Sequence, residues 1–179
     1  MTEKHPTPTL EIFTPAHAHG AERLDDTAEL SRTEKILAAY ALMDSEINGS
    51  APMRAVQKAH ELAEKFDTGT KDQSVHLFVM SDRDGEVVGA AQVAEAKFMA
   101  TNEIQAIAVD PERQGEGLGS ALLENIEDAA VESGKDMMKL DAVEEQAEWY
   151  QKRGYKEVDE VLVEGDVRLL HVKQLPHRQ

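Results

Sequence analysis

The sequence predicts an α+β fold in three layers, a mixed and mostly antiparallel sheet with helices on both faces, in the order ααβββαβαββ. Three observations carry this. Two helical stripes precede the first strong strand signal. Two apolar runs, 75–80 and 87–94, flank Asp82-Arg83-Asp84-Gly85, whose Asp-Gly pair is a hairpin signal. A third apolar strand, 103–109, then passes through a glycine-rich loop into a long helix and the short strand 137–142. Such a strand–helix–strand unit closes as a right-handed parallel crossover.

Taken in order, residues 1–30 hold His5, Pro6, Pro8, Pro15, His17, His19 and Gly20 with little periodicity, and read as a flexible or loosely docked tail. Within it, Leu10-Glu11-Ile12-Phe13 suits a short edge strand. His17 and His19 have no third ligand nearby, so no metal site is expected. The folded domain is expected over 31–175. Ser31 and Glu34 have capping-box spacing, and Ile36, Leu37, Tyr40, Ala41, Met43 and Ile47 follow at helical period, giving a helix over 32–46 that ends at Asn48-Gly49. Pro52 opens a second helix to about residue 65, with Ala55, Ala59, Leu62, Ala63 and Phe66 on one face. Residues 67–72 are a polar loop. The helix after the glycine loop shows Leu118, Leu122, Ile126, Ala129 and Ala130 on one side and stops at Gly134. A short helix over 145–153 ends at Gly154, and strands 155–163 and 167–173 flank Glu164-Gly165-Asp166.

Composition narrows the function. At 179 residues the chain makes one domain with length to spare. No apolar run approaches the ~18 residues of a membrane span. MTEKHPTPTL has no apolar signal-peptide core, and there is no Cys to form a disulfide, a thiolate metal site or a thiol nucleophile. The expected compartment is the cytoplasm. The net charge of −16 disfavours nucleic acid, whose phosphates it repels, and favours a cationic acceptor such as an amine. An anionic ligand would then need local compensation, expected from Arg113, Lys135, Lys139 and a helix end.

That helix end is the centre of the chain. After Asp110-Pro111, the loop Arg113-Gln114-Gly115-Glu116-Gly117-Leu118-Gly119 runs straight into the long helix. A helix N-terminus carries unpaired N–H groups and a partial positive charge, and glycine lets an anion come close to the backbone. These residues therefore read as a site for a phosphate-bearing ligand. A P-loop would need Lys before Ser120, where Gly119 stands. A dinucleotide turn would follow its strand directly, whereas 110–114 intervene; Asp141 lies near the place of its acidic residue, but the chain is too short for the second half of that fold.

Val109-x-Pro111-x-x-Gln114-Gly115-x-Gly117-x-Gly119 closely resembles the acetyl-CoA pyrophosphate loop of the GCN5-related N-acetyltransferases (GNAT), Q/R-x-x-G-x-G/A after a V-x-P strand exit. Trp149-Tyr150-Gln151-Lys152-Arg153-Gly154-Tyr155 is similar to the second signature of that family. With the element order, the resemblance covers about residues 34–174.

The resemblance implies acetyl-CoA as co-substrate and no metal. The backbone of Ile107, Ala108 and Val109 would pair with the pantetheine arm like an added strand, and the N–H groups of Gln114, Gly115, Glu116, Gly117, Leu118, Gly119 and Ser120 would cradle the pyrophosphate. Val109 N–H would face the thioester oxygen. Tyr150 matches the general acid that protonates the leaving thiolate, and Glu103 sits where many relatives carry a base. By simple alternation Glu103 shares a strand face with Gln105, Ile107 and Val109. His76 and His171 are strand histidines near the expected cleft, read as structural, and Trp149 is read as core. Relatives often carry an Asn seven or eight residues before the Tyr; here Val143 and Ala142 stand there, and the pantetheine anchor has no counterpart.

The function expected is transfer of an acetyl group from acetyl-CoA to a primary amine of a small molecule or peptide by direct attack. The alternative is a non-catalytic CoA-binding sensor or interaction module of the same fold. Acetylation of aminoacyl-tRNA, known in the family, is disfavoured by the charge. Residues 167–173 are expected as an edge strand on which a homodimer could pair.

Overall fold

A computed structural model describes residues 8–14, 26–49, 52–68, 73–96, 99–163 and 165–176. Its strands are β1 (Thr9–Phe13), β2 (Gln73–Ser81), β3 (Val87–Ala96), β4 (Thr101–Val109), β5 (Met137–Ala142), β6 (Lys156–Val163) and β7 (Asp166–Gln174). Its helices are α1 (Asp26–Asn48), α2 (Pro52–Thr68), α3 (Leu118–Glu132) and α4 (Glu144–Gln151). The strands form one sheet in the order β1-β2-β3-β4-β5-β7-β6. The β4–β5 pair is parallel, as the crossover requires, and the other pairs are antiparallel.

The sheet is apolar on both faces where helices cover it. Along β2, Leu77 and Val79 enter a core with Ile36, Ala39, Tyr40 and Met43 of α1 and Ala59 and Phe66 of α2. Phe78 and Met80 point the other way, into a core with Leu118, Leu122, Leu123 and Ile126 of α3 and Tyr150 of α4. Each fully buried leucine of this kind contributes about 1.5–3 kcal/mol, and Leu122 is 0% exposed.

Three outcomes concern the expected elements. First, the edge strand expected at 10–13 is present as β1. β1 pairs along its length with β2, from Thr9↔Ser81 to Phe13↔Leu77, and is tied to α1 by the Lys35–Glu11 ion pair and by Arg32, which donates to Thr14 O at 2.9 Å. Second, α1 starts at Asp26, so Ser31 and Glu34 lie inside it. The Ser-x-x-Glu spacing is compatible with a helix interior as well as a start, and Ala28, Glu29 and Leu30 extend the helix upstream. Third, β7 lies between β5 and β6, which leaves β1 and β6 at the edges of the described sheet. Residues 169–172 therefore have strand neighbours on both sides, and β7 is not an edge strand of the described sheet. The His17/His19 pair and residues 69–72 of the polar loop lie outside the described residues.

One irregularity shapes everything that follows. Gln92 pairs with Ala106 and Val93 with Ile104, so Gln105 is an extra residue in β4. A bulge bends its strand and shifts the side-chain alternation by one. Before it, Ile104 faces the α3–α4 core; after it, Ile107 and Val109 do, while Ala106 and Ala108 face α1 and α2. Glu103, opposite in parity to Ile104, is therefore on the α1–α2 face, not beside Ile107 and Val109 as simple alternation requires.

Candidate active site

The bulge also marks where the sheet opens. β4 and β5 are paired from Thr101↔Met137 to Ile104↔Leu140, and there the pairing stops. β4 continues to Val109, while Asp141 and Ala142 of β5 stay paired with Leu170 and Leu169 of β7. The edge of β4 over 105–109 thus faces a wedge without a strand partner. Backbone polar groups along such an edge are suited to an extended ligand that adds as a strand.

The loop after β4 is built by short-range bonds. Asp110 N donates to Val88 O at 3.0 Å, and the Asp110 carboxylate accepts from Glu112 N at 2.9 Å, fixing a 3-10 turn over Pro111–Arg113. Gly115 and Gly117 have φ of 85° and 84°, a left-handed conformation that favours glycine. Gly117 is also the N-cap of α3 and offers no side chain to satisfy the first N–H groups of the helix. These donors line a cavity of about 530 Å³ together with Ile107, Val109, Gln114, Trp149, Tyr150 and Arg153. Gly119 serves packing: a Cβ there would lie 3.5 Å from Trp149 Cζ2 and 3.6 Å from Val109 Cγ2.

Of the cations expected here, Arg113 lines the cavity and the two lysines do not. Arg113 binds Glu116 with two bonds of 2.8 and 2.9 Å, bracing the loop internally. Lys139 pairs with Glu103 at 3.0 Å, and Lys135 with Glu95 at 3.0 Å. Neither lysine lines the cavity. Arg153 does: its guanidinium lies 3.6 Å over the Trp149 ring, donates to Ser120 Oγ at 2.6 Å, and is held to Trp149 O at 2.8 Å. Trp149, expected as core, is half-buried and forms part of the cavity wall.

Tyr150 stands where this cavity meets a second one. It is 5% exposed and makes edge contacts with Trp149 and Tyr155 at 4.9 and 5.8 Å between ring centres. Burial first, and then the negative charge of Asp141, pushes its phenol up to about 12, against a smaller opposing effect of Arg153. The hydroxyl therefore holds its proton at neutral pH. The second cavity, about 620 Å³, shares Ile107, Ala108, Val109, Gln114, Gln146 and Tyr150 with the first and adds Glu46, Ile47, Gln105, Asp141, Val163 and Arg168. The two cavities thus lie either side of Tyr150 and the end of β4.

The remaining expected site residues stand apart. Glu103 lines neither cavity and is engaged with Lys139 across the last paired rungs of β4 and β5. His76 bonds Glu95 at 2.9 Å; His171 is 0% exposed, with Nδ1 2.8 Å from Leu169 O. Neither lines either of these two cavities. Missed in the sequence were Glu46, Asp141 and Arg168 as cavity residues. Among the described residues, no group of three or more His, Asp or Glu side chains is arranged to hold a metal ion, and no helix is long and apolar enough to cross a membrane.

Residues 73–157 match the model of the acetyltransferase (GNAT) domain. Over this stretch the chain is similar to GNAT acetyltransferase domains. Solved structures similar to it have the same fold at low identity. GCN5 from Tetrahymena is 12% identical with a TM-score of 0.64, over 96% of this chain and 98% of that one. Ard1 from Thermoplasma volcanium is 14% identical with a TM-score of 0.63, over 96% and 100%. A GNAT family acetyltransferase from Elizabethkingia anophelis, solved with acetyl-CoA bound, is 18% identical with a TM-score of 0.54, over 93% and 98%. The matched stretch runs from the start of β2 into β6 and contains the glycine loop, the bulge and Tyr150.

Proposed function

We propose that this chain transfers the acetyl group of acetyl-CoA to a primary amine of a small molecule or peptide, by direct attack. The observation that carries the reading is the pair of cavities meeting at Tyr150 along the open edge of β4. A binding module needs only the first cavity. A second one on the far side of the tyrosine gives an acceptor its own approach, and so favours the transferase over a CoA sensor.

In this reading the pyrophosphate lies on the N–H groups of Gln114, Gly115, Glu116, Gly117, Leu118, Gly119 and Ser120, and the pantetheine runs along Ile107, Ala108 and Val109. Arg153 adds its positive charge to that of Arg113, while Lys135 and Lys139 are paired away from the cavity. The neutral amine attacks the thioester carbon, the carbonyl oxygen becomes an oxyanion stabilised by Val109 N–H, and the C–S bond breaks. Tyr150 gives its proton to the departing sulfur, whose own proton affinity rises in the same dry site. The nitrogen, cationic once the C–N bond has formed, gives a proton to Asp141, and that proton ultimately restores Tyr150.

The test is amine-dependent release of the CoA thiol, followed against pH. Because the Tyr150 phenol is pushed up to about 12, the proton donor stays loaded until strongly alkaline pH. kcat is expected to rise as the amine deprotonates and then to hold to at least about pH 10.5. A falling limb around 10 that persists unchanged in Tyr150→Phe would exclude Tyr150 as the acid. No release with any amine would leave the sensor reading.

A further inference from the structure

The second cavity is lined by charges of both signs. Asp141 and Glu46 contribute carboxylates, and Arg168 a guanidinium. On β5, Met138, Leu140 and Ala142 face the α3–α4 core, so Asp141 points to the opposite face of the sheet. Asp141 is paired with Leu170 of β7, and Arg168 lies two residues before Leu170 on the same side. Asp141 and Arg168 are therefore diagonal neighbours on one face, with Cβ atoms about 7–8 Å apart. Arg168 Nε is buried and has no hydrogen-bond partner among the described residues. A guanidinium remains charged at any physiological pH, and its planar fork matches a carboxylate with two parallel bonds.

Resting on the transferase reading above, we propose that the acceptor is a free amino acid, an amine with a carboxylate one or two carbons away. Its carboxylate binds Arg168 and its ammonium lies between Asp141 and Glu46. The cavity of about 620 Å³ has room for a zwitterion: each end finds the opposite charge, and Arg168 Nε gains an acceptor. A polyamine would place a cation against Arg168. A peptide N-terminus has no carboxylate within reach of it. The overall negative charge of the chain attracts the ammonium, while Arg168 selects for the second group.

The experiment measures CoA release with the twenty amino acids, each beside its carboxamide, together with cadaverine and an alanyl dipeptide. For at least one side chain, kcat/KM of the free acid is expected to exceed that of the carboxamide by about tenfold or more, since a bidentate charged pair is lost. In Arg168→Gln the ratio is expected to fall to near one, and in Arg168→Lys to an intermediate value, because the charge stays and the fork is lost. Carboxamides, cadaverine or the dipeptide reacting as well as every free acid would overturn the proposal. So would an undiminished ratio in Arg168→Gln. If that variant fails to fold, the ratio in the parent protein and in Arg168→Lys decides. If acetyl-CoA binds but no amine is acetylated, the transferase reading itself fails. The pocket is then judged by titrating the same acids and carboxamides into the CoA-saturated protein. Heat from a free acid that its carboxamide lacks upholds the zwitterion site, and equal heats or none refute it.

Discussion

Tyr150→Phe is expected to lower kcat by about a hundredfold or more, with the affinity for acetyl-CoA unchanged. The ring keeps its place in this variant. Its contacts are with Trp149 and Tyr155 edges and with the α3–α4 core, none of which uses the hydroxyl. Only the donor at the junction of the two cavities disappears. A role in packing alone would leave kcat within about threefold of the parent, because an isosteric aromatic swap in a core is mild. The readout separates the two: single-turnover acetyl transfer for the chemical step, and equilibrium titration for binding. Loss of affinity in parallel with kcat would contradict the assignment, since it would make the hydroxyl a binding group.

Gly117→Val is expected to weaken acetyl-CoA binding by about tenfold or more. At φ of 84° a β-branched residue is strained, at a cost of about 1–3 kcal/mol. No protein atom lies within 4 Å of a Cβ at this position, so the protein has room for the side chain and the strain falls on the loop backbone. To relieve it the loop must turn its N–H groups away from their common focus. The control is Gly134→Val at the far end of α3, where φ is 78° and the space is equally open. Both variants are expected to lose thermal stability, but only Gly117→Val to lose affinity. Equal affinities would detach the glycine loop from the ligand.

Much of this architecture is legible in the chain itself, because its strongest signals are local. The Asp-Gly turn, the helical stripes and the strand–glycine–helix sequence each lie within a short window. The order of elements from α1 onward and the parallel crossover follow from them. The bulge at Gln105 is not legible. In Gln105-Ala106-Ile107-Ala108-Val109 every residue after the first is apolar, so either parity fits and the shift leaves no trace. Glu103 was assigned to the wrong face for that reason. The place of β7 between β5 and β6 is a long-range pairing that no turn specifies. Arg168 and Asp141 become neighbours only through it, though they are 27 positions apart in the sequence. Glu46 joins them from a helix nearly a hundred residues upstream. Trp149 and Arg153 were visible as residues of a motif, but their i, i+4 spacing gives no hint that the face they share lines a cavity rather than a core.

The most direct measurement is titration calorimetry of the parent protein with acetyl-CoA and, separately, with S-acetyl-pantetheine, which keeps the thioester arm and lacks the diphosphate and nucleotide. Acetyl-CoA is expected to bind at least about a hundredfold more tightly, because several charge-assisted N–H bonds are removed with the phosphates. Equal affinity for the two, or no heat from acetyl-CoA, would contradict a site organised around the start of α3.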